Sequence, residues 1–275
     1  MSHIEKREAM IGFIGVGNLG GALARGLIAA GTPASDVVVS AAHVEVAKKF
    51  AEETGARAAA TNPELVDAAG HDGIVIVAVE PGTLAEVLDE IRDVAAENHT
   101  VIVSVAAGRS LEMIAEHLSP KQPIIRVLPN VAAAVGESMT GMARGEAVKD
   151  WQFQAAREIF EAIGRVEEIR ESQFAAYTAL AGCSPAYGFV FMDALSRAGV
   201  KNGIPKAQAS RIVAQALFGA AKMALESEKP LADLADSVQS PGGSTVAGVV
   251  EMELRGLGGA VVAGAQASID KDKSL

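Results

Sequence analysis

The strongest indication of the fold is the stretch Met10-Ile11-Gly12-Phe13-Ile14-Gly15-Val16-Gly17-Asn18-Leu19-Gly20. Its apolar start predicts a strand, and the spacing of apolar residues after the glycines predicts a helix up to Ala30. In a G-x-G-x-x-G pattern Gly15 makes a tight turn, Gly17 lets backbone approach a pyrophosphate, and Gly20 permits close packing of helix on strand. Placed between a strand and a helix, the pattern predicts a dinucleotide site; a glycine turn without a ligand is the alternative.

Strands and helices alternate after this stretch. Asn62-Pro63 predicts a helix start, with Asn62 as the N-cap residue. Apolar runs rich in β-branched residues predict further strands at 36–40, 74–79, 101–105, 124–128 and 165–169, with helices between them. We therefore expect an α/β fold whose N-terminal part is a Rossmann-type, doubly wound sheet.

The chain changes character near Arg170. From Ser172 onward the sequence predicts only Ala-rich helices, so we expect an all-α C-terminal domain. The predicted domains are a disordered lead-in at 1–9, a dinucleotide-binding domain at 10–170, and a helical substrate-binding and dimerisation domain at 171–275. Segments of these helices are apolar around much of their circumference, which predicts a partner subunit; a compact monomeric bundle is the alternative.

Composition excludes several classes of function. The formal net charge of −10 argues against a nucleic-acid partner. The single cysteine, Cys183, rules out an internal disulfide and fits a reducing compartment. The sequence holds no long apolar run, and its five histidines are scattered, so we expect a cytoplasmic protein with no membrane partner and no metal site.

The second strand ends in Ser40-Ala41-Ala42-His43, without the carboxylate that NAD enzymes usually place there. The missing charge favours NADP over NAD, and Ser40 could donate a hydrogen bond to the 2′-phosphate. His43 could lie beside that phosphate, but a solvated position in the first helical turn is the simpler interpretation.

Small residues follow three further strands, at the carboxyl edge where ligands bind in open α/β sheets. Ala78-Val79-Glu80-Pro81 and Val105-Ala106-Ala107-Gly108 would let a nicotinamide ring lie close to backbone. Asn130, after the strand at 124–128, would either hydrogen-bond the carboxamide of that ring or cap a turn.

A second anion site is predicted at Ser240-Pro241-Gly242-Gly243-Ser244-Thr245, just before a predicted helix. Pro241 fixes one backbone angle, while the two glycines allow turns that side chains would block. Free backbone N–H groups could then meet at a helix N-terminus, which suits an anion. Since no strong base or metal site is evident, hydride transfer to an imine fits best. Lys201 is more simply a compensating charge at a helix end.

These motifs resemble the pyrroline-5-carboxylate reductase family over residues 10–269. The resemblance rests on the residues at 14–20, 105–108, 129–130, 181–187 and 240–245. It implies reduction of 1-pyrroline-5-carboxylate to L-proline, with NADPH preferred and NADH as a second cofactor. It also implies dimers with intertwined helical domains, assembled into larger rings, and an active site near the dimer interface.

The same resemblance implies roles for individual residues. The loop Ser240–Thr245 would hold the substrate carboxylate, and Thr245 would hydrogen-bond the ring nitrogen. Glu228 would lie at the mouth of that site, while Asn62 and Ser40 would contact the adenosine end of the cofactor.

Three positions depart from the family pattern: Glu80 replaces a usual lysine, Cys183 a usual serine, and Ser244 a usual threonine. Ser244 keeps a hydroxyl, whereas Cys183 is a weaker hydrogen-bond donor and Glu80 removes a positive charge. Two other functions stay open: a reductase of another small imino or keto acid, and a nucleotide-binding relative without catalytic activity.

Overall fold

An eight-stranded sheet organises the first part of the chain. The structure is a computed structural model that describes residues 10–274, so the predicted lead-in at 1–9 lies outside the described residues. The strands are β1 Ile11–Ile14, β2 Val37–Ser40, β3 Arg57–Ala58, β4 Ile74–Val77, β5 Val101–Ser104, β6 Ile124–Leu128, β7 Ser138–Arg144 and β8 Gly164–Glu168. Their order is β3-β2-β1-β4-β5-β6-β7-β8, and only the β6–β7 pair is antiparallel.

Twelve α-helices accompany these strands in the described part of the chain. They are α1 Asn18–Ala29, α2 Val44–Thr54, α3 Asn62–Ala69, α4 Leu84–Glu97, α5 Leu111–Ala115, α6 Asp150–Glu161, α7 Phe174–Tyr177, α8 Ser184–Lys201, α9 Lys206–Glu226, α10 Leu231–Ser237, α11 Ser244–Leu254 and α12 Leu257–Asp272. The reversal of strand order at β1 and β4 is that of a doubly wound fold, as the sequence predicts.

Helices cover both faces of the sheet. One apolar cluster joins the sheet to α1, α2 and α6 through residues such as Leu23, Phe50 and Phe160. The other joins it to α3, α4 and α5 through residues such as Leu65 and Leu88. Because the central strands are buried on both sides, their sequences are almost continuously apolar, which is why they could be recognised without alternation.

The start of α3 corrects one prediction. The N-cap residue is Thr61, whose side-chain oxygen accepts a hydrogen bond from the Glu64 N–H at 3.2 Å, and Asn62 is already the first helical residue. The Glu64 carboxylate accepts in turn from the Ala60 N–H at 2.9 Å. A threonine with a glutamate three residues later has the spacing of a capping box, although the Glu64 carboxylate accepts here from the residue before the N-cap. The N-cap is therefore Thr61, one residue before the predicted Asn62.

The chain divides into two compact units. One contains the described residues up to Gly182, together with those from Lys271 onward; the other is Cys183–Asp270. The predicted helix after Ser172 is a 3₁₀ turn, the short α7 and a π-helical segment at Thr178–Cys183. The predicted boundary near Arg170 stays a prediction.

The second unit is wholly helical and has little interior of its own. Within Cys183–Asp270 only Ser196, Ala209 and Val213 are buried, and α11 and α12 contain no buried residue. Large apolar side chains such as Phe189 and Val262 are exposed, at 65% and 71%. This agrees with the prediction that the C-terminal helices carry more apolar surface than they can bury themselves.

Candidate functional site

The glycine loop after β1 is built on two close approaches of backbone. Gly15 has φ +93°, and a Cβ placed there would stand 2.6 Å from the Ala78 carbonyl oxygen. A Cβ on Gly20 would stand 1.9 Å from the Gly15 carbonyl oxygen and 2.8 Å from the Ala78 Cβ. The turn at Gly15 and the packing of α1 at Gly20 therefore both require glycine.

The N-terminus of α1 is open where a pyrophosphate is predicted to bind. Gly17 is the N-cap residue, no side chain caps this helix, and a Cβ on Gly17 would meet no atom within 4 Å. The N–H groups of Asn18 and Leu19 belong to the first turn, where no carbonyl of the helix can accept from them. An uncapped helix start with free space fits a phosphate group. Binding by residues 15–20 stays a prediction.

A cleft of about 910 Å³ opens beside the same helix. Val16, Gly17 and Asn18 line one end of it, and Arg25 and the 3₁₀ turn Val131–Val135 line other parts. Val16 itself is buried, so it contributes its backbone to the cleft more than its side chain. Three of the residues predicted to bind the cofactor thus share one concave surface.

At the end of β2, a chain of hydrogen bonds joins three elements. The Ser40 hydroxyl donates to Asn62 Oδ1 at 2.7 Å, and Asn62 Nδ2 donates to Glu90 Oε2 at 2.6 Å. Ser40 is buried, Asn62 is half-buried, and Glu90 on α4 is exposed. The hydroxyl proton of Ser40 is thus engaged by Asn62, although the sequence suggested a phosphate as its acceptor. His43 precedes α2 and is exposed.

Sequence reasoning missed Glu90. It is one of several acidic residues on α4, and nothing in the spacing of that helix distinguishes it. The packing of α3 beside α4 brings the Glu90 carboxylate within hydrogen-bond distance of Asn62, which in turn contacts Ser40 at the end of β2. The residues that follow β2 in the sequence could not reveal an acid that another element supplies.

The loops after β4 and β5 lie at the same sheet edge. The Ala78 N–H donates to the Ile14 carbonyl at 2.8 Å, and the Val105 N–H donates to the Val77 carbonyl at 3.2 Å, which holds both loops against neighbouring strands. Val79 is half-buried and Ala106 is buried, whereas Glu80, Pro81 and Ala107 are exposed.

Asn130 caps a turn. Its Oδ1 accepts from the Ala132 N–H at 3.1 Å and the Met139 N–H at 3.4 Å, and its Nδ2 donates to the Ala181 carbonyl at 3.0 Å. Of the two interpretations left open by the sequence, the capping role is the one present here. One amide hydrogen remains, and its use by a carboxamide stays a prediction.

The loop at Ser240–Thr245 leads directly into α11. Gly242 has φ +71°, and the Gly243 N–H donates to the Ser240 carbonyl at 2.9 Å, so this N–H is part of a turn and is not free. Gly243 is the N-cap of α11, and no side chain caps the helix. The N–H groups of Ser244 and Thr245 therefore lie in the uncapped first turn, and both side chains are exposed.

Three further residues of the helical unit were singled out by the sequence. Glu228 is exposed in the segment between α9 and α10. In the sequence, α10 separates it from Ser240–Thr245. Cys183 is the N-cap of α8 and closes the π-helical segment. Lys201 is the last residue of α8, a position that suits compensation of the helix dipole.

Electrostatic perturbations fall on other groups. Burial raises the pKa of the Tyr177 phenol, whose O–H donates to the Met139 carbonyl at 2.7 Å. Hydrogen bonds from Lys206 and Arg197 lower the pKa of the Asp193 carboxyl. A hydrogen bond to Glu168 raises the pKa of Arg144. None of these three groups is among the predicted site residues.

Residues 10–274 contain neither a cluster of metal ligands nor a membrane-spanning helix. No group of three or more His, Cys, Asp or Glu side chains in this range could hold a metal ion. None of the helices described is both long enough and apolar enough to cross a membrane.

Comparisons with known proteins agree with the two-part fold. A family model described as pyrroline-5-carboxylate reductase dimerisation matches residues 171–275, and one described as NADP oxidoreductase, coenzyme F420-dependent, matches residues 10–108. The chain is 35% identical to a pyrroline-5-carboxylate reductase of Corynebacterium melassecola over 96% of this chain and 98% of the relative.

Solved structures are similar over almost the full length of the chain. A pyrroline-5-carboxylate reductase from Coxiella burnetii has a TM-score of 0.91 at 30% identity, covering 98% of each chain. The Plasmodium falciparum pyrroline carboxylate reductase, solved with NADP bound, has a TM-score of 0.83 at 27% identity, covering 97% of each chain.

Proposed function

The chain belongs to the pyrroline-5-carboxylate reductase family, and we propose that it reduces 1-pyrroline-5-carboxylate to L-proline with a nicotinamide cofactor. The observation that carries this proposal is a pair of uncapped helix N-termini, each preceded by a glycine turn: α1 after Gly17 and α11 after Gly243. The first suits the pyrophosphate of a dinucleotide, and the second suits a small carboxylate. A reductase of this substrate needs both sites.

The substrate carboxylate would be held by the first turn of α11. The turn closed by the Gly243 N–H and the Ser240 carbonyl orients the loop, and the N–H groups of Ser244 and Thr245 are left to bind the carboxylate oxygens. Gly242 and Gly243 leave no side chains in front of these donors. The positive end of the helix dipole adds to the attraction.

Thr245 would orient the imine nitrogen. Its hydroxyl makes no hydrogen bond within residues 10–274, so it is free to contact a substrate. When bound, the reduced nicotinamide supplies the hydride for the imine carbon. The task of the protein is then to hold the carboxylate and the nitrogen in a fixed geometry, and it needs no strong base for that.

We propose NADPH as the preferred cofactor and NADH as a second one. The absence of a carboxylate at the end of β2 supports this order, because no charge of that strand repels the 2′-phosphate. Residues 15–20 would bind the pyrophosphate, and Asn62 would contact the adenosine end. The loops at 78–81 and 105–107, together with Asn130, would surround the nicotinamide.

A homo-oligomer is part of the proposal. The match of residues 171–275 to a dimerisation family and the small number of buried residues in Cys183–Asp270 both support a dimer. A ring of dimers is the larger assembly that we propose. The single Cys183 supports a cytoplasmic location.

Steady-state assays test the reaction. Purified protein should oxidise NADPH or NADH only when 1-pyrroline-5-carboxylate is added. Thr245→Ala should lower kcat while the affinity for cofactor stays unchanged, and Thr245→Ser, which keeps the hydroxyl, should retain most of the rate. No turnover of this imine with either cofactor would contradict the proposal.

The same assay separates the alternatives. Turnover of another cyclic imino acid or keto acid in a panel, but not of 1-pyrroline-5-carboxylate, would indicate a related reductase with a different substrate. Cofactor binding without turnover of any panel member would indicate a nucleotide-binding protein without catalytic activity.

A further inference from the structure

The hydrogen bonds at the end of β2 have a fixed direction. The Glu90 carboxylate can only accept, so the group of Asn62 that faces it must be the Nδ2 amide nitrogen. Asn62 therefore turns its Oδ1 toward Ser40, and the Ser40 hydroxyl must donate to it. The charge on Glu90 thus determines the orientation of the amide and the position of the hydroxyl proton two residues away in the network.

The direction of these hydrogen bonds determines which donors and acceptors at the end of β2 remain available to a ligand. The only proton of the Ser40 hydroxyl is engaged, so Ser40 has no donor left for a phosphate. Asn62 has one amide hydrogen left, and beside it lies the exposed carboxylate of Glu90. In NAD enzymes an acidic residue near this position binds the ribose hydroxyls. Here β2 ends without an acid, and the carboxylate that is linked to its end through Asn62 belongs to α4.

We propose that Glu90 is a specificity-determining residue that weakens binding of a cofactor carrying a 2′-phosphate relative to one with a free ribose hydroxyl. The inference rests on the proposed nicotinamide cofactor. A ribose hydroxyl can donate to a carboxylate, whereas a phosphate can only accept and carries about −1.5 to −2 charges. Glu90 therefore reduces the difference between the affinity for NADPH and the affinity for NADH.

The size of the effect follows from the exposure of Glu90. Two unit charges about 4 Å apart in water interact weakly, and salt screens charges on the surface. A dianionic phosphate beside an exposed carboxylate should lose about three- to tenfold in affinity at low ionic strength. The loss should shrink as salt is added.

Calorimetric titration with NADPH and with NADH, without the imine, tests this. Glu90→Gln removes the charge but keeps an oxygen that can accept from Asn62, so the present amide orientation remains available. This variant should bind NADPH about three- to tenfold more tightly at low salt, because the repulsion is removed. It should bind NADH no more tightly than the wild type, because an amide oxygen is a weaker acceptor for a ribose hydroxyl than a carboxylate. Asp93→Asn is the matched control, because Asp93 is an exposed acid on the same helix and the net charge changes equally. It should alter neither affinity.

The inference is overturned if Glu90→Gln shifts both affinities equally or neither, or if Asp93→Asn produces the same selective shift. Failure of the proposed function is a separate result. A chain that binds both nucleotides with the Glu90 dependence but does not reduce 1-pyrroline-5-carboxylate keeps this inference and loses the proposed reaction. Binding of neither nucleotide would overturn both.

Discussion

At the scale of single residues, Gly20 and Gly17 at the start of α1 are required for different reasons: Gly20 for packing and Gly17 for ligand binding. Gly20→Ala would place a methyl group 1.9 Å from the Gly15 carbonyl oxygen, and backbone cannot yield as a flexible side chain can. We expect a loss of roughly 1–3 kcal/mol in the free energy of unfolding, together with weaker cofactor binding, because α1 must move away from β1. Thermal denaturation and cofactor titration measure the two effects.

Gly17→Ala is the matched variant. Its methyl group would meet no protein atom within 4 Å, and its φ of −69° is accessible to alanine, so thermal stability should not change. Cofactor affinity should nevertheless fall if a pyrophosphate lies against this backbone. A Gly20→Ala protein that melts like the wild type would contradict the packing argument, and unchanged affinity in Gly17→Ala would remove Gly17 from the cofactor site.

Residues fixed by local pattern were predictable, and residues fixed by packing were not. The turn at Gly15 and the packing at Gly20 follow from the spacing of glycines after a strand. Glu90 could not be found in this way, since its importance depends on the juxtaposition of α3 and α4. Gly243 is a different case: its N–H donates to the Ser240 carbonyl within a local turn, so it is not one of the free N–H groups predicted for this loop.

At the scale of elements, the start of α3 depends on Thr61. Thr61→Ala removes the acceptor for the Glu64 N–H and should cost about 0.5–2 kcal/mol in the free energy of unfolding. Thr61→Ser keeps the oxygen and should cost much less. Urea denaturation followed by circular dichroism compares the two variants. Equal midpoints for Thr61→Ala and the wild type would indicate that α3 starts without this cap.

Strand β7 shows why some elements escaped prediction. Its sequence, Ser138-Met139-Thr140-Gly141-Met142-Ala143-Arg144, contains small residues and a glycine, and it lacks a β-branched run. Pairing with β6 and β8 on its two edges stabilises it. Gly141 leaves room for the Tyr177 ring, since a Cβ there would stand 2.8 Å from it. These are tertiary contacts, which local propensity does not encode.

At the scale of the whole molecule, the sequence predicted the class of fold because burial leaves a composition signature. Strands covered on both faces must be apolar throughout, and β4 with Ile74-Val75-Ile76-Val77 is an example. The helical unit differs: its helices carry apolar residues on most of their circumference, but only three residues are buried within Cys183–Asp270. The predicted surplus of apolar surface is thus present, and it calls for a second chain.

We therefore expect substitutions on α12 to affect assembly more than folding. Val262 is 71% exposed within one chain, so Val262→Glu should cost little stability in an isolated subunit, but a buried, unpaired carboxylate in an interface would weaken association strongly. Analytical ultracentrifugation should show a smaller mass for this variant than for the wild type. Val46→Glu, at an exposed apolar residue of α2, is the control and should keep the wild-type mass. A monomeric wild type would contradict the oligomer, and an unchanged mass for Val262→Glu would exclude this part of α12 from the interface.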